Sequence, residues 1–305
     1  MKTLLITHPD CLKHARPRHP ERPDRLQAVI DMLEKTGLVA DMKLIQAIEI
    51  SHEQLELIHP SDYITHIERA EHPDAIVQID PDTYMSPGST RAAKLAAGAV
   101  VGATQTILRG DATKAFCAIR PPGHHAEVAE AFGFCLFNNV ALGAQEALRH
   151  PDIERVAICD FDVHHCNGTV DIFKDDPRVL VCSSFQNNFY PYRYLDFSNE
   201  HIISTPLSAG TDGTQFRDQI ESNWLPAIQR LKPDLLFVSA GFDAHKKDPL
   251  GELNWTEDDF RWITKLIIDL SNSYSEGRIV STLEGGYDLE ALASSAQVHI
   301  EELAQ

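Results

Sequence analysis

Basic residues are scarce in this sequence. Its 305 residues include 27 Lys and Arg against 45 Asp and Glu, so the formal net charge is −18 at pH 7. Proteins that bind nucleic acid independently of its sequence need a basic surface to displace counterions from the phosphates. We therefore expect no nucleic-acid partner, whereas an acidic surface attracts or tolerates cationic substrates.

Paired cysteines and long apolar runs are also missing. The six cysteines are scattered and form no C-x-x-C pair, which favours reduced thiols in the cytoplasm over a disulfide framework. No apolar run approaches the length of a membrane span. In the opening stretch MKTLLITHPD the apolar run is broken by His8 and Pro9, so it predicts a first strand rather than a signal peptide. We expect a cytoplasmic protein with no membrane partner.

Short apolar runs rich in β-branched residues alternate with longer amphipathic segments along the whole chain. Continuous hydrophobicity is typical of strands buried on both faces, and the alternation implies a parallel sheet. We therefore predict the α/β class: a single-domain open parallel sheet, formed by residues 1–305, with helices on both faces. The predicted strands are 3–7, 115–119, 156–161, 179–183, 235–240 and 279–283, and the predicted helices are 22–35, 90–108, 138–149, 215–231, 257–271 and 289–303.

One short stretch, CDFDVHHCNG at 159–168, holds several potential metal ligands at the end of a predicted strand. Asp160, Asp162 and His164 occupy alternate positions, so they share one face of an extended backbone. In open parallel sheets, ligands bind at the carboxyl ends of the strands. The stretch therefore predicts a site at that edge.

Three other predicted strands end in polar groups of the same kind. One is followed by Asp243, another by Tyr287, and a third by the adjacent histidines His124 and His125. Because the carboxyl ends of parallel strands meet at one edge of a sheet, we expect these groups to converge.

Each of these residues taken alone has an ordinary structural explanation, such as a turn, a helix cap or a core histidine. Several charged groups at the ends of apolar strands must instead be paired or bind a cation, since unpaired burial is costly. Three protein ligands with open positions for water and substrate are typical of a catalytic metal, so Asp162, His164 and Asp243 predict a divalent ion. Two histidines for proton transfer and a phenol for an oxyanion add up to metal-assisted hydrolysis of an amide or ester.

Five separated motifs resemble those of the zinc-dependent histone deacetylase superfamily, especially its class II-like bacterial members. They are RPPGHHA at 120–126, GFCLFNN at 133–139, DFDVHHCNG at 160–168, SAGFDAHKKDPLG at 239–251 and LEGGYD at 283–288, and HPERPDRL at 19–26 belongs to the same pattern. They follow the family's order over nearly the whole chain. The resemblance implies the arginase/deacetylase fold and removal of acetyl or other short acyl groups from lysine side chains or related acylated amines.

The resemblance also implies a role for each matching residue. His125 would be the main general base and acid, with His124 as an electrostatic partner backed by Asp160. Tyr287 would polarise the substrate carbonyl and stabilise the tetrahedral intermediate.

Two metal ions are implied in the same way. One zinc ion would be bound by Asp162, His164 and Asp243. A structural potassium ion would be held by Asp160, Ser183 and Ser184, with backbone of Asp162 and His164. Two carboxylates and one imidazole also accept iron or cobalt in the divalent state, so the identity of the catalytic metal stays open.

The narrow acyl-lysine tunnel of the family would be walled by Gly133 and Phe134, with Tyr190 opposite. Leu250 stands where polyamine-selective relatives carry a glutamate, which favours acyl-lysine or a small acylated amine over acetylpolyamine, although the net charge attracts any cation. Met85 stands near the position where some relatives hold the substrate backbone with an aspartate, and Asp82 is a nearby substitute.

Three residues depart from the family pattern. Cys166 replaces a glycine, and we expect it to behave as an inert small residue. Phe185 replaces a histidine, which predicts an altered tunnel rim. Asn167 replaces an aspartate of some relatives, which leaves His125 without a second charged partner and should lower its basicity.

Two rival functions remain. An arginase-like dinuclear manganese hydrolase would need further carboxylates for a second metal, and DFDVHH offers potassium-type ligands there instead. A non-catalytic protein that binds acylated ligands would have no need of both Tyr287 and His125. The sequence leaves the oligomeric state and the preferred acyl length open.

Overall fold

The computed structural model describes residues 2–305 of the chain. Its strands are β1 (Leu4–Thr7), β2 (Lys43–Gln46), β3 (Val77–Gln78), β4 (Tyr84–Met85), β5 (Lys114–Cys117), β6 (Val156–Asp160), β7 (Val179–Gln186), β8 (Ile202–Leu207), β9 (Leu235–Ala240) and β10 (Ile279–Leu283). Over residues 2–305, eight of them form one sheet in the order β2-β1-β5-β10-β9-β6-β7-β8. All neighbours in this sheet are parallel, whereas β3 and β4 form a separate antiparallel pair.

Helices cover the sheet. They are α1 (Pro23–Thr36), α2 (Leu38–Asp41), α3 (His52–Leu55), α4 (Ser61–Ala70), α5 (Ser89–Leu108), α6 (Asn139–Leu148), α7 (Asn167–Phe173), α8 (Gly213–Leu231), α9 (Glu257–Tyr274) and α10 (Leu289–Ala304). Helices α5, α6 and α7 pack in one layer, and α1, α10, α9 and α8 pack successively in another. Local sequence sets several of their ends: α1 starts at a proline and stops at a left-handed glycine, Gly37, and α8 starts at a capping box formed by Asp212 and Gln215.

The predicted α/β architecture with an open parallel sheet is confirmed. All six predicted strands and all six predicted helices are present, with some ends shifted by a few residues. The sequence does not predict β2 and β8, which are the two edges of the sheet. Edge strands are partly solvated, so they lack the continuous apolar run that marks a strand buried on both faces.

The interior strands are what position the site. Every residue of β6, β9 and β10 is buried, and these strands lie side by side in the centre of the sheet. Close packing on both faces holds their carboxyl ends in place, and rigid elements of this kind fix functional groups precisely. Within residues 2–305, no helix is both long and apolar enough to cross a membrane.

Candidate active site

Neighbouring strands deliver polar side chains to one edge of the sheet. Strands β5, β10, β9 and β6 are consecutive in the sheet order and parallel, so their carboxyl ends lie at the same edge. The predicted convergence is therefore present: Asp160 ends β6, Asp243 follows β9, Tyr287 follows β10, and the pair His124 and His125 follows β5.

Asp162, His164 and Asp243 form a buried cluster at this edge. One ligand atom from each lies within 4.8 Å of the other two. Nδ1 of His164 is 3.0 Å from Oδ1 of Asp162 and 3.3 Å from Oδ2 of Asp243. Oδ2 of Asp243 is buried and makes no hydrogen bond. A buried carboxylate oxygen without a partner is costly unless a cation neutralises it, so the donor set fits a divalent metal.

The electrostatics of the two carboxylates also fit a cation. Burial and the neighbouring Asp162 together raise the pKa of Asp243 to about 7. Burial raises the pKa of Asp162 as well, but the positive charge of His124 and the hydrogen bond from His164 bring it below its ordinary value. Two like charges held this close in a dry site attract a positive ion.

Backbone amides orient these carboxylates. The N–H of Gly285 donates to Oδ2 of Asp162 over 2.8 Å, and the N–H of Val163 donates to Oδ1 of Asp243 over 2.9 Å. A Cβ atom at Gly285 would collide with both carboxylates, so only glycine lets the β10 loop approach this closely. The ligands are thus held from behind by the chain itself.

The tandem histidines lie beside the cluster in different environments. Nδ1 of His124 is 2.9 Å from Oδ2 of Asp160, and Nδ1 of His125 is 2.7 Å from Oδ1 of Asn167. Burial opposes charge on both rings, but Asp160 and Asp162 raise the pKa of His124 to about 10. The pKa of His125 falls well below its ordinary value because of burial and because His124 and His164 are positive. His125 is therefore the ring that stays neutral.

Tyr287 lies opposite His125 with a cation beneath its ring. Burial holds the pKa of its phenol well above the usual range, so the hydroxyl remains a hydrogen-bond donor. Cζ of Arg25 is 4.8 Å from the centre of the ring. Arg25 is itself fully buried, and its guanidinium donates to the carbonyl oxygens of Glu284 and Gly286. Arg25 thus fixes the loop that carries the tyrosine.

A cavity of about 270 Å³ opens onto these groups. It is lined by Asp82, His125, Gly133, Phe134, His164, Phe189, Tyr190, Pro249, Leu250 and Tyr287. All four predicted substrate-binding residues, Gly133, Phe134, Tyr190 and Leu250, are in this lining. A Cβ at Gly133 would collide with the ring of His125, which explains the glycine at that point of the wall.

The wall at Phe134 has an unusual backbone. Its φ is 69°, a left-handed conformation, and its N–H donates to Oγ1 of Thr83 over 3.0 Å. Met85 is fully buried and is not part of the cavity lining, whereas Asp82 is. Asp82, the nearby substitute that the sequence offers, therefore contacts the cavity, and its role in holding the substrate backbone stays a prediction.

The predicted potassium ligands lie on two neighbouring strands, β6 and β7. Asp160 and Ser183 are register partners in β6 and β7, so their side chains share a face of the sheet. Oγ of Ser183 is 2.9 Å from Nδ1 of His165, and Oγ of Ser184 is buried without a partner.

The three departures from the family pattern have different consequences. Cys166 is fully buried and directly precedes α7 with φ −76°, a conformation that needs no glycine. Phe185 itself does not line the cavity: its ring is fully buried and packs 4.1 Å from the ring of His165, so the altered tunnel rim stays a prediction that depends on the NNFYP run. Asn167 is the neutral partner of His125, as the sequence predicts.

Four functional contacts are missing from the sequence prediction. Phe189 lines the cavity beside Tyr190, and the aromatic FYP run is a local signal for it. Arg25, Asp248 and Glu284 hold the active-site loops through backbone contacts. Their position in the family-like motifs was the only signal that could have pointed to them.

Comparison with known proteins places the chain in a family. A model of the histone deacetylase domain matches residues 19–303. The chain is 36% identical over 337 residues to the type-2 histone deacetylase 2 of Dictyostelium discoideum, a match that covers 95% of this chain but only 20% of that protein. It is 32% identical over 293 residues to the histone deacetylase-like amidohydrolase of Pseudomonas aeruginosa, with 94% of this chain and 77% of that protein covered.

A solved structure agrees. The crystal structure of the HD domain of HDA15 matches with a TM-score of 0.93 and 33% identity, and the match covers 99% of this chain and 88% of that chain. Family model, relatives and fold therefore agree with the geometry of the site: the chain belongs to the histone deacetylase family.

Proposed function

We propose that this chain is a zinc-dependent deacetylase that hydrolyses the amide of acetyl-lysine, or of lysine carrying another short acyl group, in peptides, proteins or small acylated amines. One observation carries the proposal: a metal-ligand histidine, a neutral histidine, a phenol and two aromatic walls line the same cavity of about 270 Å³. Family membership supports it.

Asp162, His164 and Asp243 would hold the catalytic ion. Zinc suits this donor set, and when bound it polarises a carbonyl and lowers the pKa of water. Asp160, Ser183 and Ser184 would hold potassium, with backbone of Asp162 and His164, since Asp160 and Ser183 are register partners whose side chains share one face of the sheet.

His125 moves the proton in this proposal. Its Nδ1 is held by Asn167, which leaves Nε2 free to act in the cavity. Nε2 takes a proton from the attacking water as the water oxygen bonds to the acyl carbon. It then gives that proton to the lysine nitrogen as the C–N bond breaks, so the products are a carboxylic acid and an amine, and transfer of the acid proton leaves carboxylate and ammonium at neutral pH. A neutral ring can begin this sequence, and a protonated ring cannot.

Tyr287 stabilises the charge that forms on the carbonyl oxygen. Its hydroxyl is a donor at neutral pH, and it lines the cavity opposite His125. Removing one such donor typically slows catalysis by about 10²–10³-fold. Arg25 keeps the phenol in place from behind.

The cavity walls favour a lysine stem. Phe134, Phe189 and Tyr190 line the cavity, and an aromatic lining suits four methylene groups and excludes water from the amide. Leu250 at the rim supplies no carboxylate for a distant ammonium. Acetylpolyamine is the second candidate, because the net charge of −18 attracts polycations.

The test is amine release from acetyl-lysine peptides, longer acyl-lysines and acetylpolyamines by zinc-loaded protein. Tyr287→Phe should lose most turnover and keep its metal, whereas Asp243→Asn should lose both. Tyr192→Phe is the matched control, since Tyr192 is 70% exposed and does not line the cavity. Near-normal turnover in Tyr287→Phe would contradict the proposed mechanism, in which the phenol of Tyr287 stabilises the oxyanion. Silence of the wild type on the whole panel, with stoichiometric zinc, would favour an acyl-binding protein or another amide or ester substrate.

Two further expectations stay part of the proposal. Residues 1–305 would act as one catalytic domain, and the six unpaired cysteines would suit the reducing cytoplasm.

A further inference from the structure

A groove beside the cavity is lined by two arginines, although acidic residues dominate the chain. Arg16, Arg18 and His19 are among its lining residues. Asp82 and Phe134 line both this groove and the cavity, so the two spaces are adjacent. A peptide whose acyl-lysine enters the cavity can therefore reach the groove with the residues next to that lysine.

The two arginines have no acidic partner. Neither Arg16 nor Arg18 lies within 4.0 Å of a carboxylate oxygen in residues 2–305, whereas Arg193 pairs with both Glu127 and Glu130. Arg16 donates to the side-chain oxygen of Gln78 over 2.7 Å, which occupies one of its five donors. The exposed Arg18 makes no side-chain hydrogen bond to a described residue. Unpaired guanidinium groups are therefore available in a protein with a net charge of −18.

The backbone presents Arg18 at some cost. The N–H of His19 donates to the carbonyl oxygen of Arg16 over 3.3 Å, which closes a turn through Pro17 and Arg18. Arg18 has a φ of 63°, and the third position of a turn with proline second and positive φ third usually holds glycine. Non-glycine residues in such conformations cluster at ligand sites.

The groove is also joined to the cavity wall. The two ring nitrogens of His19 are 3.0 Å from the carbonyl oxygen of Glu21 and 3.2 Å from that of Asp82. The ring of His19 packs edge-on against Phe134, with 4.7 Å between centres. The guanidinium of Arg16 lies 5.7 Å from the ring centre of Tyr84. Arg16 and His19 are therefore held in place by neighbours rather than loose in solvent.

We propose that this groove is a substrate subsite for a carboxylate: an aspartate or glutamate close to the acyl-lysine. It rests on the proposed deacetylase function and specifies the substrate class. Arg16 and Arg18 bind the carboxylate, and Asp82, at the inner edge, keeps the acid at the arginine end by charge repulsion.

This subsite and the overall charge act in opposite directions. A net charge of −18 alone makes an acidic peptide bind more weakly than a neutral one. A cationic groove makes one local acid bind more tightly. Whether an added acid weakens or strengthens peptide binding therefore shows whether the net charge or the groove dominates.

The experiment compares acetyl-lysine peptides that differ only by glutamate or glutamine at each of three positions on either side of the lysine. The wild type should show a KM that is roughly twofold to tenfold lower for glutamate at one or two positions, with kcat unchanged. The difference should shrink as salt increases. Arg16→Gln and Arg18→Gly should each reduce it, and Arg18→Gly should fold at least as stably, because glycine relieves the positive φ.

The matched control is Arg69→Gln. Arg69 also lacks a carboxylate partner within residues 2–305, but it lines neither the cavity nor the groove, so its loss should leave the glutamate preference intact. Equal KM values for glutamate and glutamine in the wild type, or a preference that survives in both groove variants, would overturn the subsite while leaving the deacetylase proposal standing.

Binding separates the two proposals if turnover fails. Fluorescence anisotropy with labelled peptides and Tyr287→Phe measures Kd without hydrolysis. A lower Kd for glutamate that Arg16→Gln removes supports the subsite even when no peptide is hydrolysed, and equal Kd values overturn it.

Discussion

The carboxylate of Asp248 accepts the backbone N–H of Tyr287, with 2.6 Å between Oδ2 and the nitrogen. Its other oxygen, Oδ1, accepts the N–H of Leu250 over 2.9 Å. One buried side chain thus joins the rim of the cavity to the residue proposed to stabilise the oxyanion. The position of the phenol depends on a loop that is distant in sequence.

Asp248→Ala should therefore lower kcat, roughly tenfold to a hundredfold, because a misplaced catalytic group loses much of its effect. Metal content should not change, since Asp248 is not in the ligand cluster. Steady-state kinetics with metal analysis measures both. Asp212→Ala is the control: Asp212 caps α8 in the same way, so its loss should cost about 1 kcal/mol of stability and leave kcat unchanged.

The partner of His125 sets the pH at which the enzyme works. In Asn167→Asp a carboxylate replaces the amide oxygen 2.7 Å from Nδ1, and an opposite charge at that distance raises the pKa of His125. A raised pKa means that the ring is protonated at higher pH, so the acid limb of kcat/KM should move to higher pH. The pH profile of kcat/KM measures this shift.

The neighbouring carboxylate needs a control. Nδ2 of Asn167 donates to Oε1 of Glu127 over 2.7 Å, so Asn167→Asp would place two acids together. The substitution is best made in Glu127→Gln, with Glu127→Gln alone for comparison. An acid limb that stays in place in the double variant would show that His125 is not the base that limits the rate.

These contacts show what the sequence can and cannot predict. Asp160, Asp162 and His164 are recognisable because they stand at alternate positions directly after one apolar run, although the strand itself ends at Asp160 and the other two lie in the bend that follows. Arg25 and Asp248 are different. Arg25 lies on an amphipathic helix, and nothing in the pattern of α1 distinguishes this buried arginine, which holds residues 284–287, from the exposed charges around it.

The two edge strands, β2 and β8, are missing from the sequence prediction for a related reason. The prediction of β6, β9 and β10 depends on continuous burial, which leaves a mark at every position. Strand β2 is held by pairing with β1 on one side, and most of its side chains are exposed. Backbone pairing leaves no mark on side-chain chemistry, so tertiary contacts decide such elements.

Buried neutral histidines should make the fold sensitive to mild acid. Burial lowers the pKa of His14 and His299 to about 3 and that of His59 to about 4. These folded-state values lie below the unfolded value of 6.5, so the stability they contribute is complete above pH 6.5 and is lost as the pH falls towards 4. Within that window, each of these histidines should lower the free energy of unfolding by about 1.4 kcal/mol for every unit by which the pH falls.

His299→Gln isolates one of these contributions. His299 lies between the hydroxyls of Thr264 and Ser281, at 2.7 Å and 2.8 Å, and is not among the residues that line the cavity. Urea unfolding at pH 7, 6 and 5 gives the free energy of unfolding as a function of pH. In the variant, the slope of this free energy against pH should be smaller by about 1.4 kcal/mol per pH unit. Equal slopes would mean that His299 takes up a proton without unfolding. Glu21 behaves differently: burial raises its pKa, but Arg120 and Arg25 lower it to about 2. Its contribution to stability is therefore lost only below about pH 4.5.

The six cysteines should be unreactive in the native protein. All six are buried, and burial raises the pKa of the Cys166 thiol well above its ordinary value, so thiolate is scarce. A thiol reagent such as Ellman's should label none of them before unfolding and all six in denaturant. Ser208→Cys, at an exposed position, is the positive control. Fast native labelling that Cys166→Ala abolishes would show that Cys166 is an accessible, reactive neighbour of the site.

Metal binding should determine how stable the site is. Without a cation, Asp162 and Asp243 are two acids in a dry cluster, and Oδ2 of Asp243 makes no hydrogen bond, although Nδ1 of His164 lies 3.3 Å from it. Zinc that binds only the folded state should raise the free energy of unfolding by about 2.7 kcal/mol at a concentration 100 times Kd. Asp243→Asn should remove this gain, yet its metal-free form should be at least as stable as metal-free wild type. The amide oxygen can still accept the N–H of Val163, and one like charge is gone.

Urea unfolding after chelation, with and without added zinc, measures both effects, and zinc stoichiometry accompanies it. Asp234→Asn is the matched control, because Asp234 also accepts backbone N–H groups, from Glu154 and Arg155, but lies outside the cluster. It should keep the full stabilisation by zinc. If Asp243→Asn kept it too, zinc would bind elsewhere. A metal-free Asp243→Asn that is much less stable than wild type would mean that the carboxylate stabilises the fold without a cation, and the orphaned oxygen would then be no sign of a metal site.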